Sequence, residues 1–209
     1  GAVTIMDSTF DGNSANRAGG AIEVINGTLT ITDSDLTDND VDGGAGTANP
    51  GNGGAIHISG ITTTMITGGT ISDNEAGREG GGLWNQTGST MTVTNVTLDG
   101  NTASGPAITH GGGALFNNGG TLNVNNSILS NNTSDGVLGN GGAIHVKTGT
   151  VNVMLSTISG NTSSNDGGGI FSNDMLTLNA VTIANNTATA NGGGIANSSA
   201  STPSLKNTI

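Results

Sequence analysis

One short phrase recurs seven times, and this restricts folding more than any other property of the chain. It reads GGAIEV from Gly19, GGAIHI from Gly53, GGGLWN from Gly80, GGALFN from Gly112, GGAIHV from Gly141, GGGIFS from Gly167 and GGGIAN from Gly192. Each copy follows an apolar residue with asparagine three places on. The pairs are Phe10/Asn13, Leu36/Asn39, Ile71/Asn74, Leu98/Asn101, Leu129/Asn132, Ile158/Asn161 and Ile183/Asn186. A period of about 29 residues makes the units interdependent, because a repeat this short buries its apolar face only against its neighbours. One domain over residues 1–209 is expected, with coils starting near 2, 28, 61, 90, 121, 150 and 175 and a partial coil over 204–209.

A run alternating apolar and polar residues precedes each apolar–Asn pair, as in AVTIMDSTF from Ala2, TLTITDSDL from Thr28 and TMTVTNVTL from Thr90. Two apolar columns align: Val3/Leu29/Met91/Leu122/Val151/Leu176 and Ile5/Ile31/Ile66/Val93/Val124/Val153/Leu178. Only Thr64 breaks the first. Period-2 alternation signals strands with one buried face, and the abundant Gly, Asn and Thr are poor helix formers. Two or three glycines before each GGAΦ strand permit a tight corner and close backbone approach. Three short strands per unit, like over like, give an all-β, right-handed parallel β-helix of about seven coils, roughly 34 Å long at the usual strand spacing. The seven asparagines then form an inward ladder, their amides pairing backbone groups that a turn leaves open and stacking on the amides above and below. Ser204–Ile209 begins an eighth coil. A coil stopping there leaves a raw sheet edge, so the chain reads as a piece of a longer one, or as a body whose copies cap each other end to end.

The net charge is −11, with Arg17, Arg78, Lys147 and Lys206 the four basic residues. Nucleic acid needs a basic footprint and is excluded as a partner. Anionic polymers and anionic membranes are disfavoured for the same reason. Cysteine is absent, which removes disulfides and thiolate metal sites. No apolar run approaches the ~20 residues of a membrane-spanning helix.

Phe10-x-x-Asn13 followed by Gly19-Gly20-Ala21-Ile22 resembles the paired FxxN and GGAI motifs of the chlamydial polymorphic outer-membrane proteins. Later units such as TISGNTSSNDGGGIF resemble secreted bacterial β-helix repeats with related motifs. The resemblance runs over essentially the whole chain. It implies an extracellular or bacterial cell-surface region with an adhesive or structural role, contacting a glycan or a cell-surface protein. Two alternatives stand beside it: a carbohydrate-active β-helix whose catalytic coils lie outside this segment, and a self-assembling fibre subunit.

With Ile22, Ile56, Leu83, Leu115, Ile144, Ile170 and Ile195 pointing inward, the next residues should point out: Glu23, His57, Trp84, Phe116, His145, Phe171 and Ala196. Three of the four aromatics and two of the three histidines fall on this line. Two readings fit it. The rings form a platform for sugar faces or apolar ligand surface, or they stack on each other and lie under the variable turns. Arg17, Arg78 and His110 each stand five residues before an inward residue, and Lys147 two beyond His145, which suggests the lip of a groove. The candidate ligand-binding set is His57, Arg78, Trp84, His110, Phe116, His145, Lys147 and Phe171. Asp38, Asp40 and Asp42, followed by Gly43, open like a calcium loop. Asn49 stands where a full loop needs Glu, so calcium competes with a plain solvated turn. No Ser-His-Asp or paired-carboxylate constellation stands out. The outward pairs of the first strand include only two Thr-x-Thr, too irregular for an ice-ordering face. No enzyme is therefore expected.

Overall fold

The computed structural model describes residues 1–42, 51–200 and 202–209. They contain strands and no helix, so no helix is long and apolar enough to cross a membrane. Every strand pairs in parallel with its counterparts in the adjacent coils, the end strands on one side only, and the chain is a parallel β-helix.

The strands divide differently from the expected three segments. The GGAΦ strand and the next coil's alternating strand belong to one 11-stranded sheet. Ile22–Thr32, Ile56–Thr67, Leu115–Asn125 and Ile144–Met154 run through the junction unbroken. Register shifts occur there, between Ile25 and Gly27 and around Asn118. Glycines at these points (Gly27, Gly60, Gly119, Gly149) take positive φ, and a glycine bulge bends a strand without ending its ladder. The apolar–Asn segments form a seven-stranded sheet. A third, six-stranded sheet consists of two-residue strands directly after the ladder asparagine, from Asp40–Val41 to Thr187–Ala188. Alternation does not reveal strands this short. Their inward residues include Ala76, Ala103, Ser134 and Ser163, small side chains that fit a narrow corner.

Inside, like stacks on like. Leu29, Thr64, Met91, Leu122, Val151 and Leu176 are successive partners, as are Ile31, Ile66, Val93, Val124, Val153 and Leu178. With the GGAΦ apolar residues and the Leu36–Ile71–Leu98–Leu129–Ile158 column they make one continuous core.

The asparagine ladder is complete. Each Nδ2 donates to the Oδ1 of the next rung at 2.8–2.9 Å, from Asn13 through to Asn186. The same Oδ1 accepts the preceding rung's backbone N–H. From Asn39 onward, Nδ2 also donates to the backbone carbonyl of the apolar residue one coil earlier. The amide thus closes a corner whose backbone groups would otherwise be buried unpaired. The five central rungs, Asn39, Asn74, Asn101, Asn132 and Asn161, are 0% exposed. Asn13 at one end is exposed and Asn186 at the other is partly buried, so the inward direction expected of all seven is fully sealed only where a coil lies on both sides. Asn161 shows why the central rungs hold the fold and are no ligand site. Its Nδ2 is spent on the Leu129 and Ser159 carbonyls and on Asn186 Oδ1, and its Oδ1 on the backbone N–H and amide of Asn132.

The first glycine of each pair has φ between +60° and +68°. A Cβ there would overlap the carbonyl three residues on, and one on the second glycine would overlap a neighbouring coil's backbone, as Gly141 and Gly142 illustrate.

Candidate functional site

Glu23, His57, Trp84, Phe116, His145, Phe171 and Ala196 stand in register, one per coil, on the outer face of the GGAΦ strands. They point away from the core, but the rings are almost wholly covered. Trp84 and Phe171 are 5% exposed, and Phe116 and His145 0%. The expectation of a solvent-facing platform at His57, Trp84, Phe116, His145 and Phe171 is therefore corrected.

The cover is the turn that precedes each glycine pair. Ala18, Asn52, Glu79, Gly111 and Asn140 bridge one another coil to coil as a narrow parallel rail. Trp84 Nε1 donates to Glu79 Oε2 at 3.0 Å, and His145 Nδ1 lies 3.1 Å from the His110 carbonyl. The rings pack on one another beneath. His57 and Trp84 stack with centroids 4.4 Å apart, Trp84 and Phe116 lie nearly parallel at 6.5 Å, and Phe116–His145 and His145–Phe171 meet edge to face at 4.8 and 5.0 Å. Coil spacing matches favourable ring geometry, so the rings of successive coils form a second, outer core.

Where the rail stands clear of the strand, a cleft of about 420 Å³ opens, a size ordinary for small-ligand sites. It is lined by His57 and Trp84 with Ser59, Gln86 and Asn118, which follow the ring column by two residues; Arg17, Ala18, Asn52, Arg78, Glu79, Thr109, His110 and Lys147 complete it. The structure thus brings together His57, Arg78, Trp84, His110 and Lys147 from the sequence-predicted set, and leaves Phe116, His145 and Phe171 behind them. The sequence reading missed Ser59, Gln86, Asn118 and Glu79. Alternation pointed to the first three, two places beyond each ring, whereas nothing in the repeat marks Glu79.

Charge in the cleft is concentrated. Arg17 Nη2 binds Glu23 Oε1 at 2.6 Å, and Lys147 Nζ lies 3.8 Å from Glu79 Oε1 and 5.8 Å from the Phe116 ring centre. Burial raises the pKa of Glu79 above the usual carboxylate range, while the Trp84 hydrogen bond, Lys147 and Arg78 pull it back. Burial, with the Arg17 charge, lowers His57 to about 4; its 3.5 Å approach to Glu23 is therefore a contact of a neutral imidazole and not an ion pair. His110 is lowered by burial and by Arg78 and Lys147, and His145 by burial to about 3. All three are neutral at pH 7.

The aspartates behave otherwise. Asn39 is inward, Asp38 turns a corner with φ +52°, and Asp40 pairs with Glu75 in the third sheet. Burial, Glu75 and Asp42 raise the Asp40 pKa. No three acidic or histidine side chains among the described residues converge as a metal site, so Asp38, Asp40 and Asp42 do not assemble the calcium cluster their spacing suggested. Gly43 and Asn49 of that stretch lie outside the described residues.

Residues 7–24, 126–147 and 156–173 match the Chlamydia polymorphic membrane protein repeat. Each stretch holds one apolar–Asn pair and the glycine pair after it, in the first, fifth and sixth coils. No curated protein and no solved structure matches the chain. Matching repeats and stacked parallel sheets together make the chain a β-helix repeat protein that resembles the chlamydial polymorphic membrane proteins.

Proposed function

We propose that the chain is a bacterial cell-surface β-helix module with an adhesive role, and that it contacts glycan through the cleft on the outer face of its GGAΦ strands. The observation carrying this reading is the make-up of that cleft. One edge of a stacked His57–Trp84 pair is joined by the side chains of Ser59, Gln86 and Asn118 along a rigid sheet. Aromatic edges beside amides and hydroxyls suit a sugar, which offers C–H surface and hydroxyl groups together. The surface location rests on the repeat match. The reading is binding and not turnover, because Glu79 is the single carboxylate among the described cleft residues and glycoside hydrolysis ordinarily uses two.

A glycan array probed with the wild-type chain and with Gln86→Ala/Asn118→Ala tests it. Binding to a defined glycan that weakens at least about tenfold in the double variant, as loss of two polar contacts implies, is the expected result. Absence of binding to any glycan, or binding indifferent to both substitutions, refutes the reading and leaves a spacer.

A further inference from the structure

The cleft holds three of the four basic residues of a chain whose net charge is −11: Arg17, Arg78 and Lys147. A neutral sugar gives no reason for this. Three cations gathered in one concavity repel each other, and their shared influence on His110 shows that Arg78 and Lys147 act on the same space. Two of them have carboxylate neighbours, Arg17 in Glu23 and Lys147 in Glu79. Arg78 has none. It forms no ion pair with any described residue, and residues 43–50, GGAGTANP, contain no carboxylate that could supply one. Arg78 is partly buried and lines the cleft together with Gln86 and Asn118.

We infer that the cleft is built for a sugar bearing a single carboxylate, a uronic or sialic acid at the end of an otherwise neutral glycan, with Arg78 as the residue that receives the carboxylate. This deepens the glycan reading above and rests on it. A guanidinium presents a planar fork that matches a carboxylate in two parallel hydrogen bonds. Lys147, flexible and weakly held at 3.8 Å from Glu79, adds a second positive charge nearby. The neutral imidazoles of His57 and His110 add hydrogen-bonding capacity without more charge. One cation without a close carboxylate calls for one anion. Outside the cleft the chain carries 14 carboxylates (15 less Glu79) against the single basic residue Lys206. A polyanion extending over that surface is repelled, whereas a terminal acidic sugar brings its charge only to the cleft. Specificity follows from the same geometry, since a neutral sugar leaves the guanidinium desolvated and unpaired.

Calorimetric titration of the intact chain with matched ligands provides the test. The pairs are methyl glucuronide with methyl glucoside, and sialyllactose with lactose; methyl glucoside 6-sulfate separates carboxylate from other anions. At low salt the acidic member of at least one pair should bind at least about tenfold tighter than its neutral partner, the usual worth of a charge-assisted pair. Arg78→Gln should erase that preference while leaving the melting temperature unchanged, and Arg78→Lys should retain part of it. Equal binding of acidic and neutral sugars overturns the inference and leaves the glycan reading standing. So does a preference that survives Arg78→Gln, or a sulfate ester that binds as tightly as the carboxylate. Failure of every sugar to bind overturns both.

Discussion

Replacing Asn101 by alanine should be among the most damaging single changes in this chain, and the ladder geometry says by how much. Asn101 is fully buried at the corner between Thr97–Asp99 and Thr102–Ala103. Its Oδ1 accepts the Asn74 backbone N–H at 3.2 Å and the Asn74 Nδ2 at 2.9 Å. Its Nδ2 donates to the Ile71 carbonyl at 2.8 Å and to Asn132 Oδ1 at 2.9 Å. Truncation strands two buried donors on Asn74. Asn132 Oδ1 keeps the Asn101 backbone N–H at 3.0 Å and is not orphaned. At roughly 1–3 kcal/mol for each stranded donor, Asn101→Ala should cost about 2–6 kcal/mol. Asn13→Ala is the control. Asn13 is exposed and gives one amide hydrogen bond to Asn39 Oδ1, which still holds the Asn13 backbone N–H. Its loss should cost about 1 kcal/mol or less. Urea unfolding followed by Trp84 fluorescence and by far-ultraviolet circular dichroism measures both, and agreement of the two probes checks that the solenoid unfolds as a unit. Central and terminal substitutions within about 0.5 kcal/mol of each other would show that the ladder follows the fold without holding it.

Three other substitutions or conditions test separate parts of the scaffold. Thr64 sits at 0% exposure in an apolar column with its hydroxyl unpartnered; Thr64→Val should raise stability by about 1–2 kcal/mol in the same urea assay, and any loss contradicts this. Leu155 has φ +53° and is 61% exposed, so it bears the left-handed penalty with little packing in return. Leu155→Asn should stabilise by about 1 kcal/mol, read as a higher melting temperature, and a lower one refutes the strain argument. The buried neutral histidines make stability pH-dependent: His57 and His145 take protons near 6.5 when unfolded but only near about 4 and about 3 when folded. Unfolded chains therefore bind more protons between these limits. Stability should be full above pH 6.5 and fall on acidification, by about 2 kcal/mol per histidine at pH 5, with protonation of Glu79 returning part of it. A urea midpoint unchanged between pH 7.5 and pH 5 would rule this out.

The sequence exposes whatever repeats in register and conceals whatever depends on how the chain returns. The Φ-x-x-N and GGAΦ columns and the ladder are legible because one position per coil must meet the same position in the next. The exposure of Phe116 and His145 is not. Strand alternation places them away from the core, which is right, but whether solvent reaches them depends on the path of Gly111 and Asn140 in the turn rail. Variable turn sequences carry no periodic sign of that path. The two-residue strands were hidden for a related reason, since Ala and Ser signal narrow space and not strand propensity. Three corners per coil take left-handed backbone, and two of them announce themselves in every coil, the third through Asp7, Asp33, Gly68, Asn95 and Asn126 in five. The residue before the ladder Asn is Gly, Asp or Asn, and the first residue of the GG pair is always Gly. Leu155 and Ala180 at the remaining corner do not, because tertiary hydrogen bonds hold a conformation their own side chains disfavour.

Scaffold and cleft also separate chemically, which makes the cleft open to experiment. The ladder asparagines, the glycine pairs and the buried rings each hold a contact in the next coil, so changing one disturbs its neighbours. Arg78, Gln86 and Asn118 line the cleft beside His57 and Trp84, yet none is a rung of the ladder, a member of the ring stack or a partner in an ion pair among the described residues. Strand pairing at Gln86 and Asn118 is through backbone, Asn118↔Gln86, and survives any side chain that tolerates a strand. The triple substitution Arg78→Gln, Gln86→Ala and Asn118→Ala should therefore leave the melting temperature within about 3 °C of wild type, about 1 kcal/mol for a chain of this length. A larger fall would mean that the cleft walls support the ring stack, and ligand choice could not then vary without loss of the fold. With stability preserved, a ligand surface can change residue by residue on a body held by its repeats.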